Sequence, residues 1–296
     1  MSSPAQAARH APLKGIALML VAIGLFSLMD TIAKYLSRSY PVSGIVWARY
    51  AANLLLLCAL LAARGELRLM RTRRPGIQVL RGALLASATI LYFTSLTVLP
   101  MAEAAAIGFV LPLFVAVLAV PMLGERLDTV RVAAIVIGLA GAMLVVRPGT
   151  AIFTAYAVLP ALMALANALY QILTRKIAGI EPAMTSLFYG ALVGTVAFSF
   201  TLPFAWVTPS GWWHWMLIAV IGTLATAAHF ILIRAYDYAP ATLLAPLVYT
   251  QLIWVMGLGY VVFGDFPDPW ALAGMGVIVA SGMLIASRQR LAVKVK

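Results

Sequence analysis

Asp30, Lys34 and Arg49 stand inside stretches that are otherwise almost wholly apolar. At the centre of a bilayer an unpaired charge costs at least ~2.5 kcal/mol, so each needs an internal partner or a wet cavity. Asp30 and Lys34 are about one helical turn apart and share a face, which suits either an ion pair or a joint site. As a site, Asp30 meets an ammonium group and Lys34 or Arg49 a carboxylate; the competing account for Lys34 is snorkelling to the interface. Asn167, Tyr170 and Gln171, at spacings of three and four, share a face that would be wasted against lipid. Tyr92, His229, Tyr249, Gln251 and Trp254 add rings and hydrogen-bonding groups. Any one of them also serves as a packing residue. As a set they describe a cavity in which aromatic faces accept flat apolar groups and amides orient polar ends. That is chemistry for binding.

Catalytic chemistry has no comparable support. His10, His214 and His229 are too scattered for a zinc motif, and the single cysteine, Cys58, excludes an internal disulfide and a cysteine metal cluster. No glycine-rich phosphate loop or nucleophile elbow is present. The expectation is therefore a protein that is no enzyme, with no catalytic residue, metal or cofactor and no built-in use of ATP.

The elements that must position these residues follow from composition. The chain has 296 residues, 64% hydrophobic and 10% charged, with a mean hydropathy of +1.00. That leaves too little polar surface to cover a water-soluble globule. Runs long enough for a membrane helix lie at 15–37, 43–63, 77–98, 103–122, 131–146, 154–174, 183–205, 213–234, 241–263 and 270–287. This predicts an all-α membrane protein with ten transmembrane helices. The run at 131–146 is short, but its alanines and glycines suit a closely packed helix. Pro112 and Pro246 interrupt the fourth and ninth spans and are candidate hinges, although Pro160 interrupts the sixth as well. The apolar run after residues 1–14 is too long for a signal-peptide core and reads as a retained first helix.

A net charge of +12 raises the question of nucleic acid, but the bases sit at helix ends. Residues 9, 14, 64, 68, 71, 73, 74, 81, 126, 131, 175, 176, 234, 288, 290, 294 and 296 fall on one side of a ten-span topology. Only Lys34, Arg38, Arg49 and Arg147 fall on the other. The positive-inside rule then predicts a multi-pass protein of the cell inner membrane with both termini cytoplasmic. The Arg64 to Arg74 cluster reads as a topology determinant near anionic lipid; no nucleic-acid partner is expected. Trp206, Trp212, Trp213 and Trp215 read as an interfacial belt. Gly190 and Gly194 suit helix packing more than dimerisation, so a monomer or weak homodimer is expected.

The chain also repeats itself. Gly124-Glu125-Arg126-Leu127-Asp128 returns 140 residues later as Gly264-Asp265-Phe266-Pro267-Asp268. At the same offset Gly82 pairs with Gly222, Pro100 with Pro240, and Met143-Leu144 with Met283-Leu284. Residues 15–148 then form a first five-helix repeat and 149–287 a second, with cytoplasmic tails at 1–14 and 288–296. Five crossings is an odd number, so the second copy starts on the opposite side and the repeats are inverted. Inverted repeats allow a central cavity to open to each face in turn, which is alternating access.

Ten spans in two five-helix units, the alanine-rich Glu103 to Met122 running into Leu123-Gly124-Glu125-Arg126-Leu127, and Gly138, Gly141 and Val145 to Pro148 resemble the drug/metabolite transporter superfamily, EamA type. Within it the general likeness is to YddG-type amino-acid exporters. The resemblance implies export of small metabolites, especially aromatic and other amino acids, as substrates; other metabolites or drugs, proton-coupled, and a channel-like facilitator are the alternatives. The second copy departs from the pattern, with Asp265-Phe266-Pro267 in place of Glu125-Arg126-Leu127.

Overall fold

The computed structural model describes residues 12–124, 129–147, 155–177, 180–239 and 241–294. The repeated stretch Glu125 to Asp128, Pro148 and Pro240 therefore lie outside the described residues. Among those described there are helices and turns and no β-strand. The main helices are α1 (Pro12–Leu36), α2 (Val42–Ala63), α3 (Pro75–Leu96), α4 (Met101–Gly108), α5 (Leu111–Leu123), α6 (Thr129–Val146), α7 (Val158–Ile177), α8 (Ala183–Ser199), α9 (Trp212–Tyr238), α10 (Gln251–Phe263) and α11 (Pro269–Lys294). By length and composition, seven helical stretches among the described residues could each cross a membrane, one of them being α4 and α5 taken together. Three shorter apolar helices, Val132–Val146, Ala183–Ser199 and Pro269–Leu284, accompany them.

Local sequence explains the element ends. Pro75 and Pro269 open α3 and α11, where the missing N–H would have no helical partner anyway. Pro100 holds extended backbone (ψ 149°) and starts α4, whose eight residues are all buried. Apart from Glu103 the helix is apolar and rich in alanine, which suits close packing within the bundle. The chain then breaks at Phe109 and Val110 and restarts as α5, with Pro112 in its first turn. In the second copy a 3₁₀ segment, Ala245–Thr250, carries Pro246 and gives way to α10. The two prolines are not equivalent by the 140 offset, yet α5 and α10 are, residue for residue. Both close on a left-handed glycine, Gly124 (φ 70°) and Gly264 (φ 76°), a backbone that side chains disfavour.

The packing follows the repeat. Adding 140 carries α1, α2, α3, α5 and α6 onto α7, α8, α9, α10 and α11. The structure packs α1 along α9 and α3 along α7, α3 against α8 and α2 against α9, and α5 against α7 and α1 against α10. Each of these pairs maps onto the other in its pair, while α2–α8 and α6–α11 map onto themselves. In the last of these, Ser281 Oγ donates to Ala134 O at 2.6 Å, and the backbones of Gly141 and Gly274 meet seven residues further along each helix in opposite directions. Positions 274 and 281 are the repeat partners of 134 and 141, so the contact is antiparallel and self-complementary.

Candidate substrate cavity

A cavity of about 330 Å³ opens between α1, α2, α3, the α4–α5 break, α7, α9 and the start of α10. Of the residues singled out by sequence, Asp30, Arg49, Tyr92, Asn167, His229 and Gln251 line it, together with Phe26, Phe93 and Phe109. Asp30 is 4% and Arg49 6% exposed. Gln251 Nε2 faces Asp30 Oδ2 at 3.5 Å, a long hydrogen bond. Arg49 Nη1 donates to Thr89 Oγ1 at 3.2 Å and its Nε points at Met29 Sδ at 3.3 Å, while its guanidinium lies 5.0 Å from the Tyr50 ring centroid. Thr89 and the Tyr50 hydroxyl are 2.8 Å apart, so α2 and α3 hold the guanidinium together. Among the described residues neither Asp30 nor Arg49 has an ion-pair partner.

The cavity thus presents one buried carboxylate and one buried guanidinium among aromatic walls. Held in a partly enclosed cavity, these groups act on a ligand of opposite charge more strongly than they would in bulk water. His229 is fixed against its own helix, Nδ1 to Ala225 O at 2.8 Å, and meets Phe26 edge to face.

The other sequence candidates lie elsewhere. Lys34 turns away from Asp30: its Nζ donates to Asp265 Oδ2 at 3.1 Å, 231 residues on, and to Leu99 O at 2.9 Å. Tyr170 lies under the guanidinium of Arg81, and Gln171 Nε2 reaches Asn167 Oδ1 at 3.4 Å from an exposed position. The Tyr249 ring lies tilted against that of Phe109, and Trp254 is half-exposed beside Gly24.

Around Lys34 the ends of α1, α3, α6 and α10 are tied together. Arg38 covers the Phe263 ring, and Arg147 pairs with Asp268. Glu103 is 3% exposed nearby, with Oε2 unpartnered. Asp268 Oδ1 accepts the backbone N–H groups of Trp270 at 2.9 Å and Ala271 at 3.0 Å, capping α11. The Ala271 N–H is the largest cause holding the Asp268 carboxyl below the usual carboxylate range, with the Arg147 charge adding to it. These contacts tie helix ends together where the α1–α2 turn lies.

Sequence reasoning missed Thr89, a threonine like many others in a helix until Arg49 and Tyr50 are seen to share it. It also counted Arg81 among the interfacial bases, and Asp265 only as a repeat landmark. A carboxylate and a lysine placed 231 residues apart give no periodic signal.

A duplicated bundle of apolar helices around a small polar and aromatic cavity defines a membrane transporter. The chain belongs to the EamA-like transporter family, whose sequence profile matches residues 13–147 and again 154–287. It is 29% identical over 287 residues to an S-adenosylmethionine uptake transporter of Rickettsia felis, covering 96% of each chain. It is 27% identical to a pseudopaline exporter of Pseudomonas aeruginosa, over 93% of this chain and 96% of the other. A riboflavin transporter of Vibrio cholerae is 26% identical over 92% and 93%. A crystal structure with 21% identity superposes with a TM-score of 0.67, over 93% of this chain and 97% of that one, and shares the fold. The family resemblance read from sequence is borne out, as is the absence of an enzyme; these relatives carry names other than amino-acid exporter.

Proposed function

We propose that the chain is an alternating-access carrier of ten spans in two inverted halves, exporting small amphipathic zwitterions across the cell inner membrane. Its substrates carry an α-amino-acid head and a flat ring, as aromatic amino acids do. The observation that carries this reading is the pair Asp30 and Arg49, two buried groups of opposite charge in one aromatic-walled cavity, neither of them in an ion pair among the described residues. Arg49 offers a planar fork for a carboxylate, and Asp30 with Gln251 a partner for an ammonium group. The volume is at the small end for ligand sites, right for a small metabolite. S-adenosylmethionine, the substrate named for the Rickettsia relative, joins an α-amino acid to a purine and is of this class.

Alternation is supported by the antiparallel, self-complementary contact of α6 with α11 and by the tied end at Lys34 and Asp265. By the repeat, Glu125 is the counterpart of Asp265 and Arg175 that of Lys34 with one residue's shift, so a second lock is expected at the opposite end. The distribution of basic residues supports a cytoplasmic position for that opposite end and for both termini.

The test is uptake of labelled aromatic amino acids, S-adenosylmethionine, riboflavin, a nucleotide sugar and a cationic drug into proteoliposomes, with and without an imposed proton gradient. Saturable counterflow of the amino-acid-headed compounds alone is expected. Preference for riboflavin or the cationic drug would overturn the substrate class. Flux without counterflow would replace the carrier by a channel-like facilitator.

A further inference from the structure

A second guanidinium is buried in this bundle without an acid to match it. Arg81, in the second turn of α3, is 3% exposed. Its Nε donates to Thr174 Oγ1 on α7 at 2.8 Å and its Nη1 to Gln78 Oε1 at 2.7 Å, and its guanidinium lies 4.9 Å from the Tyr170 ring centroid. Gln78, itself fully buried, passes the chain on through Nε2 to Ser186 Oγ at 3.2 Å. Beside Ser186, the hydroxyl of Thr185 is buried with no partner. Among the described residues no carboxylate comes within ion-pair distance of Arg81. Neutral acceptors orient a guanidinium but do not cancel its charge, and a buried cation with no anion is costly to keep.

Its position makes that cost intelligible. On α3, Arg81 precedes Leu85 and Thr89 by one and two turns, roughly 6 and 12 Å along the helix. On α7, Tyr170 and Thr174 follow Asn167 by three and seven residues. Leu85, Thr89 and Asn167 line the cavity, and Thr89 is the residue that holds Arg49. The α3–α7 seam therefore runs from Thr89, which holds Arg49, to Arg81, away from the tied end at Lys34 and towards the end carrying Arg71, Arg73 and Arg74.

Resting on the zwitterion-carrier reading, we propose that Arg81 is a second carboxylate subsite, which the anionic end of the substrate occupies between the cavity and the basic end of the bundle. Thr174 and Gln78 hold the fork in place with Tyr170 beside it, and in the proposal the substrate carboxylate joins these neutral partners at the guanidinium. The Tyr170 ring, stacked on the guanidinium, offers its other edge to the apolar part of the substrate.

The experiment compares counterflow of labelled L-tryptophan with that of its carboxyl methyl ester, both well below saturation, in proteoliposomes of the full chain. Arg81→Gln is expected to lower tryptophan flux about tenfold, as for loss of one charge-assisted hydrogen bond, and to leave the slow ester flux unchanged. Arg81→Lys, which keeps the charge and loses the fork, keeps most of the preference for the acid. Equal loss for acid and ester would make Arg81 a structural pillar and overturn the proposal, as would no change in either. Should Arg81→Gln fail to insert, Thr174→Val frees the guanidinium with little change of volume; a selective but smaller fall for the acid is expected, and an unselective one overturns the subsite. Wild-type protein without saturable tryptophan counterflow defeats the carrier reading itself and the subsite with it. Wild-type counterflow that is lost in Arg49→Gln but indifferent to Arg81→Gln defeats the subsite alone.

Discussion

Phe109 and Tyr249 hold the same position in the two copies of the repeat, and their rings lie 5.2 Å apart, centroid to centroid. Each sits at the interruption that precedes α5 or α10. When equivalent residues of two copies touch each other, the axis relating the copies passes between them. The helix breaks of the two halves thus meet at the bundle centre, and Phe109 forms part of the cavity wall there.

Asp30 and Arg49 should divide the substrate between them. Arg49→Gln is expected to cut flux of an amino acid about ten- to a hundredfold while sparing its methyl ester, the scale of one lost charge-assisted hydrogen bond. Asp30→Asn should do the same for the amine and spare the des-amino acid. Proteoliposome counterflow of the four compounds checks both, and identical losses for all of them would remove the pair from the site.

Lys34 and Asp265 should act as a lock. Asp265→Ala removes the carboxylate that pairs with Lys34 among the described residues and is expected to shift the population towards opening at that end. With Cys58→Ser as background, Phe109→Cys is expected to react with a membrane-impermeant maleimide added outside only when Asp265→Ala is also present. Equal labelling with and without Asp265→Ala would show that this contact does not close the cavity.

Gly82 and Gly222 are repeat partners at which helices approach closely. A Cβ on Gly82 would come within 2.6 Å of Val193 Cβ, and one on Gly222 would overlap Ala52 Cβ. Gly222→Ala is expected to cost about 1–3 kcal/mol by overpacking, and Gly222→Ala with Ala52→Gly to recover most of it. Gly76, with open space around it, is the control for Gly→Ala in the same fold. Thermal unfolding in detergent reads all of these.

Asp268 has a carboxyl held low by its cap and by Arg147. A lowered folded pKa stabilises above the unfolded value and is lost as pH falls through the folded one. Asp268→Ala should therefore lower stability by roughly 1 kcal/mol, the worth of a helix cap. The gap in Tm between variant and wild type is expected to stay constant from pH 8 to pH 5 and to shrink only below the ordinary carboxylate value of about 3.9. A gap that changed across neutral pH would point to another titrating group.

Much was legible in the chain because it is written locally or repeated. Apolar run length marks helices, Pro100 and Gly124 mark their ends, and the 140-residue offset marks the duplication without any tertiary information. The interruption shared by α5 and α10 was harder to read, since Pro112 and Pro246 are not equivalent. It is the backbone restart that repeats. Helical spacing put Asn167, Tyr170 and Gln171 together, but a face spans several neighbours. In the fold one meets the cavity, one meets Arg81 and one is exposed.

From sequence alone came a lipid-embedded, duplicated transporter and a short roster of polar residues that a membrane would not tolerate without cause. Which of these face one another was decided by tertiary packing. Lys34 left its neighbour Asp30 for Asp265, Arg49 took Thr89, and Arg81 went inward beside Thr174. Periodicity tells which side of a helix a residue is on. It carries no record of which helix will be laid against that side, because that depends on the close approach of small residues such as Gly82 and Gly222 far away along the chain.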